Sequence, residues 1–390
     1  MLNNDHPRIT ISDKGFRRIL SGHPWIYRDE VDSASGCDDG DIVDITNKER
    51  FIAKGFYSKS SKISLRLITR IDERIDSQYW AGKILNAFRL REKLIGTPDA
   101  YRLCFAEADE IPSLIIDKYG TSFSMQTLSS GADKLKDLFV EILADLFHPL
   151  SIYERNDVSV RQLEGLDERK GDLFGTTPDR VEIGEGSIRL LIDIKNGQKT
   201  GAYLDQRENR IHAEKYCSGR VLDCFSYQGA FAIHAARNAE KVIAVDSSAD
   251  ALRIAQENAC LNSSRNIIFE QRNVFEYLKR SVSERERFDS VVLDPPAFAK
   301  SKSDIKNALR AYLEINQRAM KVLKPGGFLM TSSCSYNLSE ENFTSILRNA
   351  SAQARVSARI VEKRMQPPDH PFLVTFPESF YLKSFILTVI

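Results

Sequence analysis

The chain has 390 residues, with 55 Lys and Arg against 54 Asp and Glu, which gives a formal net charge of +1. This length exceeds what a single hydrophobic core usually fills, so we expect two or three domains. The near-neutral balance excludes a global basic field, so any contact with nucleic acid must be local.

The cysteines lie far apart and form no CxxC or other metal-ligand spacing; they are Cys37, Cys104, Cys217, Cys224, Cys260 and Cys334. This pattern predicts neither a metal site nor a disulfide framework, and it is typical of reduced thiols in a cytoplasmic protein. No basic region followed by an apolar run opens the chain, and no stretch approaches the roughly 18 apolar residues of a membrane span. We therefore expect a soluble, cytoplasmic protein without a membrane or metal partner.

Residues 1–75 predict a small β-rich module. Arg8–Ile11, 41–45 and 63–68 are strand-like runs that Gly and Asp clusters separate. Within this module, cations outnumber carboxylates in the segment 48–70, whose only carboxylate is Glu49; the cations are Lys48, Arg50, Lys54, Lys59, Lys62, Arg66 and Arg70. Such a run is either a solvated face or a set of phosphate contacts.

Residues 76–190 predict an α+β middle domain. The segment 76–98 has helical spacing of its apolar residues and stops at Gly96, Thr97 and Pro98. The remaining elements are predicted strands at 113–117, Ser122–Thr127 and 151–154, a helix at 133–147, and a hairpin at 184–194.

Residues 191–390 predict an α/β domain, because strands and helices alternate and alternation of this kind builds a parallel sheet. The predicted strands are 220–225, 241–246, Ile267–Gln271, 290–294 and 327–332, and the helices between them are 231–239, 250–261, one from Val274, and 305–323. A further helix from Glu340 leads to two last strands, 359–365 and 385–390. We expect these two to form an antiparallel pair at the sheet edge.

Ligands of open α/β sheets bind beyond the carboxyl ends of the strands, so the residues after each strand are the candidates for function. The first strand leads through Asp223 to Gly229, where a helix begins. One glycine is too few for the dinucleotide fingerprint, which favours a cofactor without phosphates, such as S-adenosylmethionine. Asp246 ends the second strand, where its carboxylate can accept ribose hydroxyls or simply cap a helix.

The fourth strand of this domain ends in Asp294, and Pro295 and Pro296 follow it. Consecutive prolines can neither extend a strand ladder nor enter a helix interior, so the chain must turn and aim the carboxylate of Asp294 outward. A strand-terminal Asp-Pro-Pro followed by an aromatic residue, here Phe298, is typical of methyltransferases that act on nucleic-acid bases.

The fifth strand ends at Cys334, which we expect at the same edge. Carbon 5 of cytosine accepts a methyl group only after a thiolate adds at carbon 6, and Cys334 is the candidate nucleophile. Asp294 is the candidate that shares a proton with ring nitrogen 3. A free thiol with a pKa of about 8.5 is only slightly ionised at neutral pH, so a local group should stabilise the thiolate; the sequence does not identify it.

The whole chain resembles the PUA-domain-containing bacterial 23S ribosomal RNA 5-methylcytosine methyltransferases. The resemblance depends on four motifs: GHPWIY at 22–27, EADEIPSLIIDKYG at 107–120, NDVSVR at 156–161 and GQKTGAYLDQR at 197–207. It implies an N-terminal PUA-type β-barrel that binds RNA, the α+β middle domain, and a C-terminal Rossmann-like class I methyltransferase domain. Two positions depart from the family pattern: Ala202 stands where an aromatic residue is frequent, and Gln228 where Thr is frequent.

The resemblance also implies roles for individual residues. Cys334 and Asp294 would be catalytic. S-adenosylmethionine would be bound by Gln206, Arg207, Asp223, Phe225, Tyr227, Gly229, Asp246, Asn273 and Asp294. The RNA would contact Lys48, Lys54, Lys199, Pro295 and Phe298. The expected partner is 23S ribosomal RNA, and a homodimer is a further expectation.

Three alternatives remain open. An RNA methyltransferase acting on adenine N6 or guanine N2 would use Asp294 to hold the amino group and Phe298 to stack on the base, and would not need Cys334. A uridine-5 methyltransferase would use the same thiol addition. An RNA-binding assembly factor would keep the fold without turnover, but it would need neither Asp294 nor Cys334.

Overall fold

The computed structural model describes residues 6–96, 98–298 and 304–390, so the predicted helix stop at Thr97 lies outside the described residues. Two compact units divide the chain. The first contains Met1–Ile183, Ile192–Leu204 and Pro368–Ser379, and the second contains Gly184–Leu191, Asp205–Pro367 and Phe380–Ile390. None of the described helices is long and apolar enough to span a bilayer. The domain limits at 75 and 190 stay predictions.

The first unit begins with a six-stranded sheet, which confirms the predicted β-rich module. Its strands are β1 (Arg8–Ile11), β2 (Trp25–Tyr27), β3 (Val31–Ser33), β4 (Ile42–Asn47), β5 (Arg50–Tyr57) and β6 (Ile63–Thr69), in the order β2-β6-β5-β4-β1-β3. Only β1 and β4 pair in parallel among the described neighbours. The helix α1 (Asp13–Leu20) was not predicted, although Ser12 caps it by accepting from the amide of Gly15.

A five-stranded sheet follows, with helices against it, as the α+β prediction requires. The predicted first helix is α2 (Ser77–Ile95), which Asp76 caps and Gly96 ends. The other elements are β7 (Ala100–Phe105), β8 (Leu114–Tyr119), β9 (Ser122–Thr127), α3 (Ser130–Lys134), α4 (Lys136–Phe147), β10 (Ser151–Asn156) and β11 (Arg169–Gly175), with sheet order β11-β10-β9-β8-β7. Trp80 of α2 stacks on Phe56 of β5, with ring centroids 5.9 Å apart, so both sheets share one core.

The predicted hairpin is confirmed as β12 (Val181–Glu185) and β13 (Ile188–Ile192), which form a two-stranded sheet. The segment after it, 193–204, is held by the first unit through buried polar groups. Arg155 donates to the carbonyls of Ile194 at 2.6 Å and Gly197 at 2.7 Å, and Thr200 donates to Asp117 at 2.5 Å. These bonds fix the first part of the GQKTGAYLDQR motif.

The second unit contains a seven-stranded sheet, and its alternation of strands and helices is the predicted one. In chain order the elements are α5 (Arg207–Ala213), β14 (Gly219–Cys224), α6 (Ala230–Ala236), β15 (Ala239–Asp246), α7 (Ala249–Leu261), β16 (Ile267–Gln271), α8 (Val274–Ser283), β17 (Phe288–Leu293), α9 (Ile305–Val322), β18 (Leu323–Ser333), α10 (Glu340–Ala354), β19 (Ala358–Met365) and β20 (Lys383–Val389). The sheet order is β16-β15-β14-β17-β18-β20-β19.

Strands β14 to β18 pair in parallel, and β20 pairs antiparallel with both β18 and β19. This confirms the predicted antiparallel pair, with β19 at the edge. The central strands β14 and β17 are mostly buried, and their apolar residues lie in the core, as expected of strands covered on both faces. The register aligns Cys224 with Val245 and with Leu293, so Asp246 and Asp294 follow at the same edge of the sheet.

Candidate active site

The loop after β14 has an unusual backbone. Phe225 and Tyr227 have positive φ angles of 62° and 49°, which non-glycine residues rarely adopt. Gly229 also has a positive φ, and a Cβ there would lie 2.9 Å from the Cβ of Ala255. Glycine is therefore required at the start of α6, and the strain at Phe225 and Tyr227 marks this loop as a candidate binding loop.

Asp246, directly after β15, holds this loop in place. Its Oδ2 accepts the amide of Tyr227 at 2.8 Å, and its Oδ1 accepts the amide of Ser248 at 2.9 Å. Each carboxylate oxygen can accept a second hydrogen bond, and the side chain is only partly buried. Asp246 can therefore hold the loop and still accept hydroxyl groups from a ligand.

Asp223, the penultimate residue of β14, is buried, and its Oδ2 accepts from the hydroxyl of Ser226 at 2.7 Å. Its Oδ1 has no hydrogen-bond partner among the described residues. Burial, together with the smaller effects of the nearby carboxylates of Asp294 and Asp246, raises the pKa of Asp223 to about 7. Three carboxylates thus act on one another at this sheet edge, and a cationic ligand would relieve their repulsion.

Asn273, predicted to bind the cofactor, is the N-cap of α8. Its side-chain oxygen accepts the amides of Phe275 and Glu276 at 2.9 and 3.3 Å. The residue is exposed, so its amide NH₂ group points to solvent or ligand while the oxygen orders the helix start.

The Asp294-Pro295-Pro296 turn follows β17 as predicted. Gln206 donates to Asp294 Oδ1 at 2.6 Å, and Asn209 in turn donates to Gln206 Oε1 at 2.6 Å. This chain of bonds orients the carboxylate of Asp294. Arg207, which follows Gln206, is buried at the start of α5, and its guanidinium group lies 3.6 Å from the carboxylate of Glu208.

Cys334 directly follows β18 and lies beside this turn. Its Sγ approaches the carbonyl oxygen of Pro295 at 3.9 Å, and the residue is partly exposed. The thiol of Cys334 therefore lies next to the residue that follows Asp294, and the predicted catalytic roles of the two residues stay predictions. Cys260 is exposed on α7, and the other four cysteines are buried; these are Cys37, Cys104, Cys217 and Cys224.

Phe298 is partly buried and lies in an aromatic cluster. Its ring centroid is 4.8 Å from that of Tyr312, 5.9 Å from Phe275 and 6.3 Å from Phe225. The ring thus packs on the wall between the cofactor loop and the Asp-Pro-Pro turn. By contrast, Tyr336, two residues after Cys334, is 47% exposed.

Two groups beside Cys334 were missed by the sequence analysis. Lys383 opens β20, where its side chain is buried and its Nζ donates to the carbonyl of Ser335 at 2.8 Å. The hydroxyl of Tyr312 on α9 lies within hydrogen-bond distance of Ser333 and Ser335. A charged residue at the start of an otherwise apolar strand is the one sequence signal that marks Lys383.

The three lysines predicted to contact RNA have different surroundings. Lys48 is exposed and pairs with Asp13 at 3.0 Å. Lys54 is buried, and its Nζ lies 2.7 Å from Asp44 and 3.1 Å from Asp72. Lys199 is half-buried, with its Nζ 4.4 Å from the centre of the Tyr203 ring.

Two family models and several known proteins are similar to this chain. Residues 9–70 match the model of a PUA-like domain, and residues 218–368 match that of a methyltransferase domain. The ribosomal RNA large subunit methyltransferase I of Aeromonas hydrophila is 41% identical over 95% of this chain and 96% of the relative. That of Tolumonas auensis is 40% identical over 96% of this chain and 97% of the relative. The chain belongs to the ribosomal RNA large subunit methyltransferase I family.

The fold of this family member is also found in a solved protein complexed with SAH. The two are 20% identical, with a TM-score of 0.85 over 98% of this chain and all of the other. This likeness confirms the PUA-like and Rossmann-like architecture. The cofactor of the methyltransferase is S-adenosylmethionine. Two features fit such a ligand. The unpartnered oxygen of Asp223 can accept a hydrogen bond from it, and the absence of a side chain at Gly229 lets the backbone approach it closely.

Proposed function

We propose that the protein transfers a methyl group from S-adenosylmethionine to carbon 5 of a cytosine in 23S ribosomal RNA, through a covalent adduct at Cys334. One observation carries the proposal: a partly exposed thiol lies next to the Asp294-Pro295-Pro296 turn. The ribosomal RNA substrate is supported by the family, whose relatives are named for it, and by the PUA-like match at residues 9–70.

The thiol has a definite task in this reaction. Carbon 5 of cytosine is a weak nucleophile, and addition of the Cys334 thiolate at carbon 6 moves the electron pair of the 5,6 double bond to carbon 5. Asp294 shares a proton with ring nitrogen 3, which stabilises the charge that the addition places on the ring. After carbon 5 has been methylated, a base removes its proton, the double bond forms again, and the carbon–sulfur bond breaks to release the thiolate.

The cofactor would be held by the strained loop and the carboxylates beside it. Asp223, Asp246 and the backbone at Gly229 are the main contacts, and the other proposed contacts are Phe225, Tyr227, Asn273, Gln206, Arg207 and Asp294. When bound, S-adenosylmethionine supplies an electrophilic methyl group on a positively charged sulfur. The carboxylates of Asp223, Asp246 and Asp294 favour this positive charge electrostatically.

The RNA must present its target base outside a helical stack, because a stacked base is closed to attack at carbon 6. We propose that the turn of Pro295, which is buried, and Pro296, which is exposed, lies beside the flipped base and that the exposed ring of Tyr336 offers it a stacking surface. Lys48 and Lys199 would contact phosphates. Lys54 could do so only if the phosphate competed with Asp44 and Asp72 for its ammonium group.

The amino-group alternative is less well supported by the geometry. It needs Phe298 to stack on the base, whereas the ring packs against Tyr312, Phe275 and Phe225. It also gives the thiol of Cys334 no task. Methylation of uridine at carbon 5 would use the same residues, so it is an outcome of the test below.

The test is bisulfite sequencing of ribosomal RNA from cells that lack the protein, complemented with the native sequence, Cys334→Ala or Cys260→Ala. Methylation at carbon 5 protects cytosine from bisulfite. We expect one cytosine to lose protection without the protein, and the native sequence and Cys260→Ala to restore it. Cys260→Ala is the matched control because it removes the other exposed thiol.

Two outcomes would contradict the proposal. If Cys334→Ala restores protection, methylation does not pass through the thiol. If no cytosine changes, mass spectrometry of the digested RNA will decide between 5-methyluridine and a methylated purine.

A further inference from the structure

Cys334 lies on a turn that two side chains hold from different elements. Antiparallel pairing of β18 with β20 places Lys383 opposite Ser333, the residue before Cys334. The Nζ of Lys383 donates to the carbonyl of Ser335, the residue after Cys334, and at 2.7 Å to the carbonyl of Tyr381. Tyr312 contacts the hydroxyls of the same two serines. The thiol is therefore fixed in position, with a cation beside it.

We propose that Lys383 is a positioning residue that fixes the Cys334 turn and whose ammonium group favours the thiolate form of Cys334. The inference rests on the proposed function, because the thiolate has a task only if Cys334 is the nucleophile. Lys383 would supply the local stabilising group that the chemistry requires. The thiol proton leaves to solvent, and the protonated form of Lys383 favours the thiolate that remains.

The electrostatics of the buried lysine agree with this geometry. Burial lowers the pKa of Lys383 to about 8, while negative charge on Cys334 and Glu340 raises it. Because coupling between two ionisable groups is reciprocal, an ammonium group that a thiolate stabilises must stabilise that thiolate equally. A buried ammonium group also acts through a lower dielectric than an exposed one, so its effect on the thiol is large.

The other titratable groups near the thiol do not replace Lys383. Tyr312 on α9 is buried, and burial raises its pKa to about 12, so it is a neutral hydrogen-bonding group at physiological pH. Glu340 opens α10 and pairs with Lys363 of β19. Its negative charge opposes the thiolate, and Lys363 is half exposed to solvent. Of these groups, Lys383 is the buried cation.

The experiment measures the ionisation of the thiol directly, in the full-length protein. The rate of alkylation of Cys334 by iodoacetamide is followed between pH 6 and pH 10 by peptide mass spectrometry, which separates it from Cys260. The midpoint of the rate profile is the apparent pKa of the thiol, which includes its coupling to Lys383. We compare the native protein with Lys383→Gln, which keeps donors without the charge, and with Lys383→Arg, which keeps the charge. Circular dichroism confirms that each variant is folded.

We expect the native midpoint to lie below the usual value of about 8.5 for a thiol. Lys383→Gln should raise it by about one unit or more, and Lys383→Arg should restore most of the difference. A native midpoint at or above the usual value overturns the inference without any variant. So does an unchanged midpoint in folded Lys383→Gln.

Activity separates this inference from the proposed function. If Cys334→Ala still methylates RNA, the covalent mechanism is wrong, yet a shift of the thiol midpoint in Lys383→Gln would still show the coupling. If Cys334→Ala is inactive and Lys383→Gln leaves the midpoint unchanged, the mechanism stands and the role of Lys383 is wrong.

Discussion

Two sets of buried ionisable groups in the second unit have opposite environments. Near the start of α6, Arg210 and His234 both contact Glu185, and this carboxylate is fully compensated. At the edge where the parallel strands end, Asp223 has an oxygen without a partner among the described residues, and Lys383 donates to the backbone carbonyls of Ser335 and Tyr381. The charges of Glu185, Arg210 and His234 are paired with one another, whereas Asp223 and Lys383 have no such counter-ion in the part of the chain that the structure describes.

Their pKa values differ accordingly. Burial alone would raise the pKa of Glu185, but Arg210 and His234 lower it to about 2. Burial raises the pKa of Asp223 to about 7 and lowers that of Lys383 to about 8. Paired groups keep their charge, whereas groups without a counter-ion move toward neutral pH, where a ligand can change their state. We expect this contrast to distinguish structural charges from the proposed functional ones.

The largest effect should be the loss of methylation in Cys334→Ala. Loss of the nucleophile should lower the methylation rate by about a thousandfold or more, because no other group can activate carbon 5. Single-turnover transfer of labelled methyl to ribosomal RNA measures the effect, with Cys260→Ala as the control. A loss of less than tenfold would move Cys334 out of the chemistry.

The next largest effect should be a loss of stability when the buried carboxylate of Glu185 loses Arg210. Arg210→Met leaves Glu185 buried without its main partner, which should lower the free energy of unfolding by about 3 to 5 kcal/mol. Both tryptophans, Trp25 and Trp80, lie in the first unit, so urea unfolding is followed by hydrogen exchange in β14 instead of fluorescence.

The matched control is Arg253→Met, whose side chain is 57% exposed and pairs with Glu257. Such an exposed ion pair contributes at most about 1 kcal/mol. Equal destabilisation by the two variants would remove the distinction between compensated and surface charges.

Asp223 should make cofactor binding depend on pH. A cationic ligand favours the ionised carboxylate, so below pH 7 the free protein must release a proton on binding. The affinity for S-adenosylmethionine should then fall by up to about tenfold for each pH unit below 7, and Asp223→Asn should flatten this profile. Calorimetry in buffers of different ionisation enthalpy measures the released proton. The exposed Asp250→Asn is the control.

The ionisation of Asp223 should affect the stability of the protein in the opposite direction to its effect on cofactor binding. Because its pKa in the folded protein lies above the ordinary value of 3.8, Asp223 makes folding less favourable as the pH rises from about 4 to 7. Asp223→Asn should therefore be more resistant to urea at pH 8 while binding cofactor more weakly. A variant that is less stable and binds normally would contradict the functional assignment.

The smallest effect should be on RNA binding by two lysines of the first unit, one exposed and one buried in an ion pair. Lys48 is exposed, whereas Lys54 is buried between Asp44 and Asp72. Lys48→Ala should weaken RNA binding a few-fold and lower the slope of log affinity against log salt by about one. Lys54→Met should leave this slope unchanged. A lower slope for Lys54→Met would mean that RNA displaces the two carboxylates.

The sequence by itself determined the order of strands and helices in the second unit, because alternating apolar runs and helical periods are local signals. It also placed Asp223, Asp246, Asp294 and Cys334 at strand ends, which must share one edge in a parallel sheet. It did not predict α1, an eight-residue helix whose signal is a single capping serine.

Only the tertiary structure decided which side chains surround these residues. Lys383 reaches the Cys334 turn because β20 runs antiparallel to β18, a register that no local pattern specifies. Gln206 reaches Asp294 across 88 positions of sequence, and Phe298 packs into an aromatic cluster. Local periodicity fixes which residues face the edge of the sheet, but burial and long-range pairing fix their charge and their partners.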